Sequence, residues 1–234
     1  MHVASNVNST NLLLAILFSD TGGLEFPEGA YAVAWGCRNR SFKYIACSGS
    51  NGMVLVGLAD GQGEASMLND GMYCFKCCNN IVYDIKWTLD GKLLTAGGDM
   101  VLRHIDTERQ ALMYAHKAHS GSIKSIDPHP QNADIVLTSG KDGCVAVWDL
   151  RAKYSNVAMQ FAAHDIPFQG QYYNRKRSSG RSTPLSACAW LPDGDHYITA
   201  GQDGQARLWE LRARSPSGVL KPFTEASGAC FMTV

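Results

Sequence analysis

This chain has no excess of either charge: 21 Lys and Arg stand against 21 Asp and Glu. Without a bulk field, nothing draws it as a whole to nucleic acid or to an anionic membrane, and any electrostatic partner must meet a local patch. Long apolar runs are also absent. A spanning helix needs roughly 20 such residues, and the longest run near the start, Leu12–Phe18, is far shorter. No Lys or Arg precedes it, so it does not read as the apolar part of a signal peptide. A buried strand or an unstructured leader is the expectation, with no membrane partner.

Cysteine is present without a framework. Cys37, Cys47, Cys144 and Cys188 each lie inside an apolar run, where Cys acts as a small hydrophobe. Only Cys74, Cys77 and Cys78 have metal-like spacing, and no second Cys or His pair follows at a suitable distance. No metal site is expected, and reduced thiols fit a cytosolic or nuclear protein. Enzyme signatures are missing too. There is no GxSxG elbow, no HExxH pair and no phosphate-cradling Gly loop. Gly61-Gln62-Gly63 begins a dinucleotide fingerprint, but Ser66 stands where its third Gly belongs and no helix pattern follows. Neither catalysis nor a cofactor is expected.

What the chain does have is a repeat. Asp142-Gly143 is followed by Cys144-Val145-Ala146-Val147-Trp148, and Asp203-Gly204 by Gln205-Ala206-Arg207-Leu208-Trp209. The same frame fits Asp99 to Ile105 and Asn51 to Gly57, where the Trp is lost. Asn-Gly and Asp-Gly tolerate positive φ, so each pair marks a tight hairpin turn. The alternation after each turn predicts a strand with a period of two. Further strands precede each turn, at Tyr44–Cys47, Lys92–Thr95, Ile135–Thr138 and Tyr197–Thr199, and others end at Trp35, Trp87, Ile126 and Trp190. The unit is three or four antiparallel strands, and its turns recur at Asn51, Asp99, Asp142 and Asp203. The chain is therefore expected to be all-β. With 45% hydrophobic residues it can bury a sizeable core.

A period near 43 residues matches that of WD-repeat propeller blades. Ala118-His119 opens the unit that closes with Trp148-Asp149, and Ala163-His164 opens the one that closes with Trp209-Glu210. On these residues the chain resembles the WD-repeat β-propeller family. That resemblance implies two buried hydrogen-bonded tetrads: His119, Thr138, Asp142 and Trp148, then His164, Thr199, Asp203 and Trp209. The histidines are thereby read as structural, because buried polar groups need partners. About four blades are recognisable, at 31–78, 79–118, 119–163 and 164–223, where the family most often has seven. An incomplete ring is the expectation, either a fragment or one completed by another chain. Residues 1–30 and the tail 224–234 match no blade.

Two features go beyond a generic propeller. Both intact units leave their Trp with one tetrapeptide pattern, Trp148-Asp149-Leu150-Arg151 and Trp209-Glu210-Leu211-Arg212. Arg offers a planar, multi-donor contact suited to protein interfaces. The doubled pattern is similar to the adaptor-binding box of cullin-4–RING ubiquitin ligase substrate receptors, and the blade order resembles the denticleless-type receptors of that group. The resemblance implies docking on the damaged-DNA-binding adaptor protein through these boxes. It also implies nuclear recruitment of proteins bound to the sliding clamp PCNA on chromatin for ubiquitylation. The second feature is an insertion at 165–183 carrying Arg175, Lys176, Arg177 and Arg181 among Ser and Gly. It reads as a nuclear-localisation signal, a nucleic-acid or chromatin contact, or a solvated loop. The alternative for the whole chain is a WD-repeat interaction scaffold in RNA processing or signalling, without a ubiquitin role and with the cytoplasm as a possible location.

Overall fold

Glycines in the left-handed region set the layout. In the computed structural model Gly52, Gly143 and Gly204 have φ of 78°, 79° and 76°, each where a strand reverses into its antiparallel neighbour. A Cβ at such a φ is strained, so the Asx-Gly turns do what their chemistry requires. The structure describes residues 29–38, 42–59, 73–151, 157–165, 182–211 and 216–220. These form four antiparallel sheets of four strands each, and the expected repeated all-β architecture is what the chain adopts.

The first sheet joins β1 (Ala30–Arg38), β2 (Phe42–Gly49), β3 (Met53–Ala59) and β4 (Tyr73–Lys76) in sequential order. The second joins β5 (Val82–Trp87), β6 (Leu93–Gly97), β7 (Val101–Asp106) and β8 (Ala111–Lys117). The third joins β9 (Ile123–Pro128), β10 (Ile135–Gly140), β11 (Cys144–Asp149) and β12 (Val157–Ala162). The fourth joins β13 (Leu185–Trp190), β14 (His196–Gly201), β15 (Ala206–Glu210) and β16 (Pro216–Leu220). A short 3-10 turn, Ala163–Asp165, follows β12. The chain divides into two compact units, 1–82 and 83–234.

Within the second unit the core lies between successive sheets. Leu94, Ala96 and Leu102 of the second sheet pack with Ile123, Ile126, Val136, Ala146 and Trp148 of the third. Leu137, Val145 and Val147 then pack with Leu185, Cys188, Trp190, Tyr197 and Trp209 of the fourth. The middle strand β10 is buried along nearly its whole length, because it has a neighbour on each edge and a sheet on each face. Two carboxylates tie the innermost strands together. Asp84 on β5 accepts the Ile126 N–H of β9 at 2.7 Å, and Asp127 on β9 accepts the Trp190 N–H of β13 at 2.6 Å. Each occupies a backbone donor that would otherwise be orphaned where neighbouring sheets meet.

Candidate functional site

The tetrad side chains come together in both the third and the fourth sheet. His119 Nδ1 lies 3.0 Å from one oxygen of Asp142 and 3.1 Å from the other, and its Nε2 is 2.8 Å from Thr138 Oγ1. The Trp148 indole N–H donates to the same Oγ1 at 2.8 Å. Thr138 Oγ1 accepts from the indole and has one hydrogen of its own to donate; the arrangement that satisfies every member directs that hydrogen to Nε2 and the Nδ1–H to the carboxylate. The fourth sheet repeats the arrangement: His164 with Asp203 at 2.9 Å, His164 with Thr199 at 3.0 Å, and Trp209 with Thr199 at 2.9 Å.

The acids are supported as charges. Burial pushes the Asp142 carboxyl up, but the His119 bond and the Cys144 and Ser120 amides outweigh it and hold it below the usual carboxylate range. Asp203 shows the same balance through His164, the Gln205 amide and the Arg207 guanidinium. Each carboxylate also closes its turn, Asp142 accepting Cys144 N–H at 3.0 Å and Asp203 accepting Gln205 N–H at 3.1 Å. The tetrads are thus saturated networks, with no donor set aside for a substrate.

Sequence reasoning missed three contributors. Gly140 and Gly201 end the strands beside the tetrads, where a Cβ would come within 2.9 Å of His119 Nδ1 and within 2.5 Å of His164 Nδ1. Their signal was present as Thr-x-Gly at the end of β6, β10 and β14. Arg207 is buried in β15, in the position that Ala146 holds in β11, and donates to the Ala163 and His164 carbonyls at 3.0 Å each. It thereby fixes the chain just before the basic insertion. In the second sheet, where the Trp is replaced by Ile105, Asp99 pairs instead with Arg103 at 2.5 Å.

At the opposite end of the strands lie the exits from β11 and β15. Asp149 Oδ1 accepts the Arg151 backbone N–H at 3.1 Å, turning the chain back on itself. The Arg151 guanidinium then forms a two-point pair with Asp149, Nε at 2.9 Å and Nη2 at 2.7 Å, while Asp134 Oδ2 lies 3.9 Å from Nε. The arginine stays 63% exposed, and its hydrogen bond holds Asp149 below the usual carboxylate range. The Leu150 N–H donates to the Asp134 carbonyl at 2.8 Å, and the Leu211 N–H donates to the Asp195 carbonyl at 2.7 Å. Both exits are therefore stitched to the turn between the first two strands of their own sheet. Glu210 is exposed where Asp149 stands in the other box. Arg212, and the loop residues Arg175, Lys176, Arg177 and Arg181, lie outside the described residues. So do Leu12–Phe18 and Gly61–Ser66.

Among the described residues, no group of three or more His, Cys, Asp or Glu is placed to hold a metal ion, and no helix is long and apolar enough to cross a membrane. The family model described as "WD domain, G-beta repeat" matches residues 110–149 and 174–210, the stretches that carry the two Trp exits. The chain is 27% identical to a Denticleless protein homolog of Danio rerio, over 72% of this chain and 27% of that protein. It is 30% identical to Denticleless protein homolog B of Xenopus laevis, over 59% of this chain and 22% of that one. A ribosome biogenesis protein of Chlamydomonas reinhardtii is 24% identical over 62% of this chain and 29% of its own length. The chain thus spans less than a third of each of these curated relatives. Repeated four-stranded sheets, two hydrogen-bonded His-Thr-Asp-Trp sets and the matched repeats together make this chain a WD-repeat protein of the β-propeller fold.

Proposed function

We propose that the chain serves as a substrate receptor of a cullin-4–RING ubiquitin ligase, with the strand exits at Arg151 and Arg212 docking on the damaged-DNA-binding adaptor protein. One observation carries the reading: Arg151 is exposed yet held rigid by its two-point pair with Asp149, in a box whose pattern recurs at Glu210-Leu211-Arg212. A guanidinium fixed before binding loses little rotamer freedom on docking, which is what an anchor residue requires. Nε and one Nη2 hydrogen face Asp149, and the remaining N–H donors are left to meet carbonyls or carboxylates across an interface. The saturated tetrads fit a scaffold role and not a catalytic one. Denticleless homologues among the relatives favour this reading, on which the chain acts in the nucleus and recruits substrates bound to PCNA on chromatin.

The test is capture of purified adaptor by Arg151→Ala/Arg212→Ala. A desolvated interface Arg commonly contributes more than about 1 kcal/mol, so the double variant is expected to stay folded and lose the adaptor. Lys at both positions should rescue only in part, for want of the planar fork. Wild-type capture by the double Ala variant would leave the second reading, a WD-repeat scaffold in RNA processing. The ribosome biogenesis relative and a pre-mRNA-splicing factor of Schizosaccharomyces pombe, 25% identical over 62% of this chain, favour that alternative. Affinity purification with mass spectrometry separates the two by the main partner recovered.

A further inference from the structure

We propose that Arg109, at the exit of the second sheet, extends the adaptor-docking surface as a third arginine beside Arg151 and Arg212. The proposal rests on the reading above and adds a residue that the tetrapeptide pattern does not contain. The exit from β7 reads Ile105-Asp106-Thr107-Glu108-Arg109, so the Trp is lost and the arginine falls one position later than in the intact boxes. The acid nevertheless does the same work. Asp106 Oδ1 accepts the backbone N–H of Glu108 at 3.0 Å and of Arg109 at 3.1 Å, as Asp149 does for Arg151. Gln110 follows with φ of 49°, the left-handed step that reverses the longer turn into β8.

What differs is how the carboxylate is satisfied. Lys92 Nζ sits 2.7 Å from Asp106 Oδ2, whereas Arg109 Nε is 4.0 Å away. The Asp106 side chain is buried and already met by the lysine, so the guanidinium extends outward with 83% exposure. Strand order places this exit at the same end of its sheet as that of Arg151: β7 and β11 are the third strands of successive sheets, each leaving toward the turn between the first two strands, where Lys92 and Asp134 stand. Asp134 is the residue whose carboxylate lies 3.9 Å from Arg151.

The surroundings of Arg109 also suit an interface. Leu89 in the β5–β6 turn is 60% exposed, and Leu112, at the start of β8 and paired with Ile105, is 56% exposed. Arginine is enriched at interfaces, and the two exposed leucines in the adjoining turn and strand add apolar area to this end of the sheet. The surface fits a partner presenting carboxylates or free carbonyls beside apolar side chains, continuous with the partner of the Arg151 box.

The experiment compares Arg109→Ala, Arg109→Glu and Arg109→Lys with Arg151→Ala/Arg212→Ala in the full chain, measuring affinity for purified adaptor and the melting temperature of each variant. Arg109→Ala is expected to weaken binding by about tenfold with little change in melting temperature, since buried Asp106 keeps Lys92 as its direct partner and Arg109 is largely exposed. Arg109→Glu should weaken it further through repulsion, and Arg109→Lys should fall between Ala and wild type. If Arg109→Ala and Arg109→Glu bind like wild type while the Arg151/Arg212 variant loses the adaptor, Arg109 lies outside the interface and the inference falls alone. If all the variants bind like wild type, the receptor reading falls and takes Arg109 with it.

Discussion

Asp84 is the residue at which the fold works against its own chemistry. Burial raises its carboxyl from the ordinary 3.8 to about 6, and Lys86 with the Ile126 and Ile85 amides offsets only part of that. A folded-state value above the unfolded one means that the native chain holds the proton more tightly. Stability is therefore greatest below the unfolded value and falls as pH rises through about 6. At neutral pH the charge costs about 3 kcal/mol, from roughly two units at 1.36 kcal/mol each. Asp84→Asn removes that charge and keeps an oxygen for the Ile126 N–H. Urea unfolding is expected to show the variant more stable than wild type at about pH 7.5, with the gap closing toward about pH 4. A constant difference between the two across that range would show that Asp84 does not titrate as its burial requires. Asp127 is raised by burial as well, whereas Asp142 and Asp203 are held down and contribute in the opposite sense. Comparing the single variant with wild type cancels all three.

At the scale of strands and turns, legibility in the sequence followed burial. The inner three strands of each sheet could be read from alternation and Asx-Gly turns, because each has one or two faces in the core. The outer strands could not. β8 is exposed along nearly its whole length, so Ala111–Lys117 carries no period to read. β12 alternates only weakly between half-buried and exposed positions. The His-Thr-Asp-Trp sets were legible through the resemblance to WD repeats, since Thr and Trp stand 10 residues apart in both sets while the His–Asp separation is 23 in one and 39 in the other. Arg207 was not legible, since a charged residue in a core slot has no pattern of its own. Its partners are carbonyls of Ala163 and His164, distant in sequence and brought near only by folding. Arg207→Met keeps much of the volume and deletes the donors. Two buried carbonyls then lose a charge-assisted bond, and the variant is expected to be less stable by about 2–4 kcal/mol. Limited proteolysis should also become faster near Asp165, where the clamp is lost. A melting temperature equal to that of wild type would show that water replaces the guanidinium at no cost.

Across the second unit, the described flanks of the insertion and the Arg151 exit sit at opposite strand ends. The insertion is rooted at Asp165 and Ser182. His164 is bonded to Asp203 at the β14–β15 turn, and Gly143 of the β10–β11 turn lies against Ser182 and Thr183. Arg151 follows the far end of β11, which runs from Cys144 to Asp149. Six residues at about 3.3 Å each separate the two ends by roughly 20 Å, about two and a half times the screening length at physiological salt. With no net charge on the chain to couple them, the basic insertion and the exit arginines should act independently. Replacing Arg175, Lys176, Arg177 and Arg181 by Ala is expected to reduce nuclear accumulation of a tagged chain and to leave adaptor affinity and melting temperature at wild-type values. The reciprocal variant, Arg151→Ala/Arg212→Ala, should lose the adaptor and still accumulate in the nucleus. Imaging and binding measured on the same four proteins, wild type, each variant and their combination, test the separation directly. Loss of adaptor binding in the insertion variant would place both features in one interface, and unchanged imaging would reduce the insertion to a solvated loop.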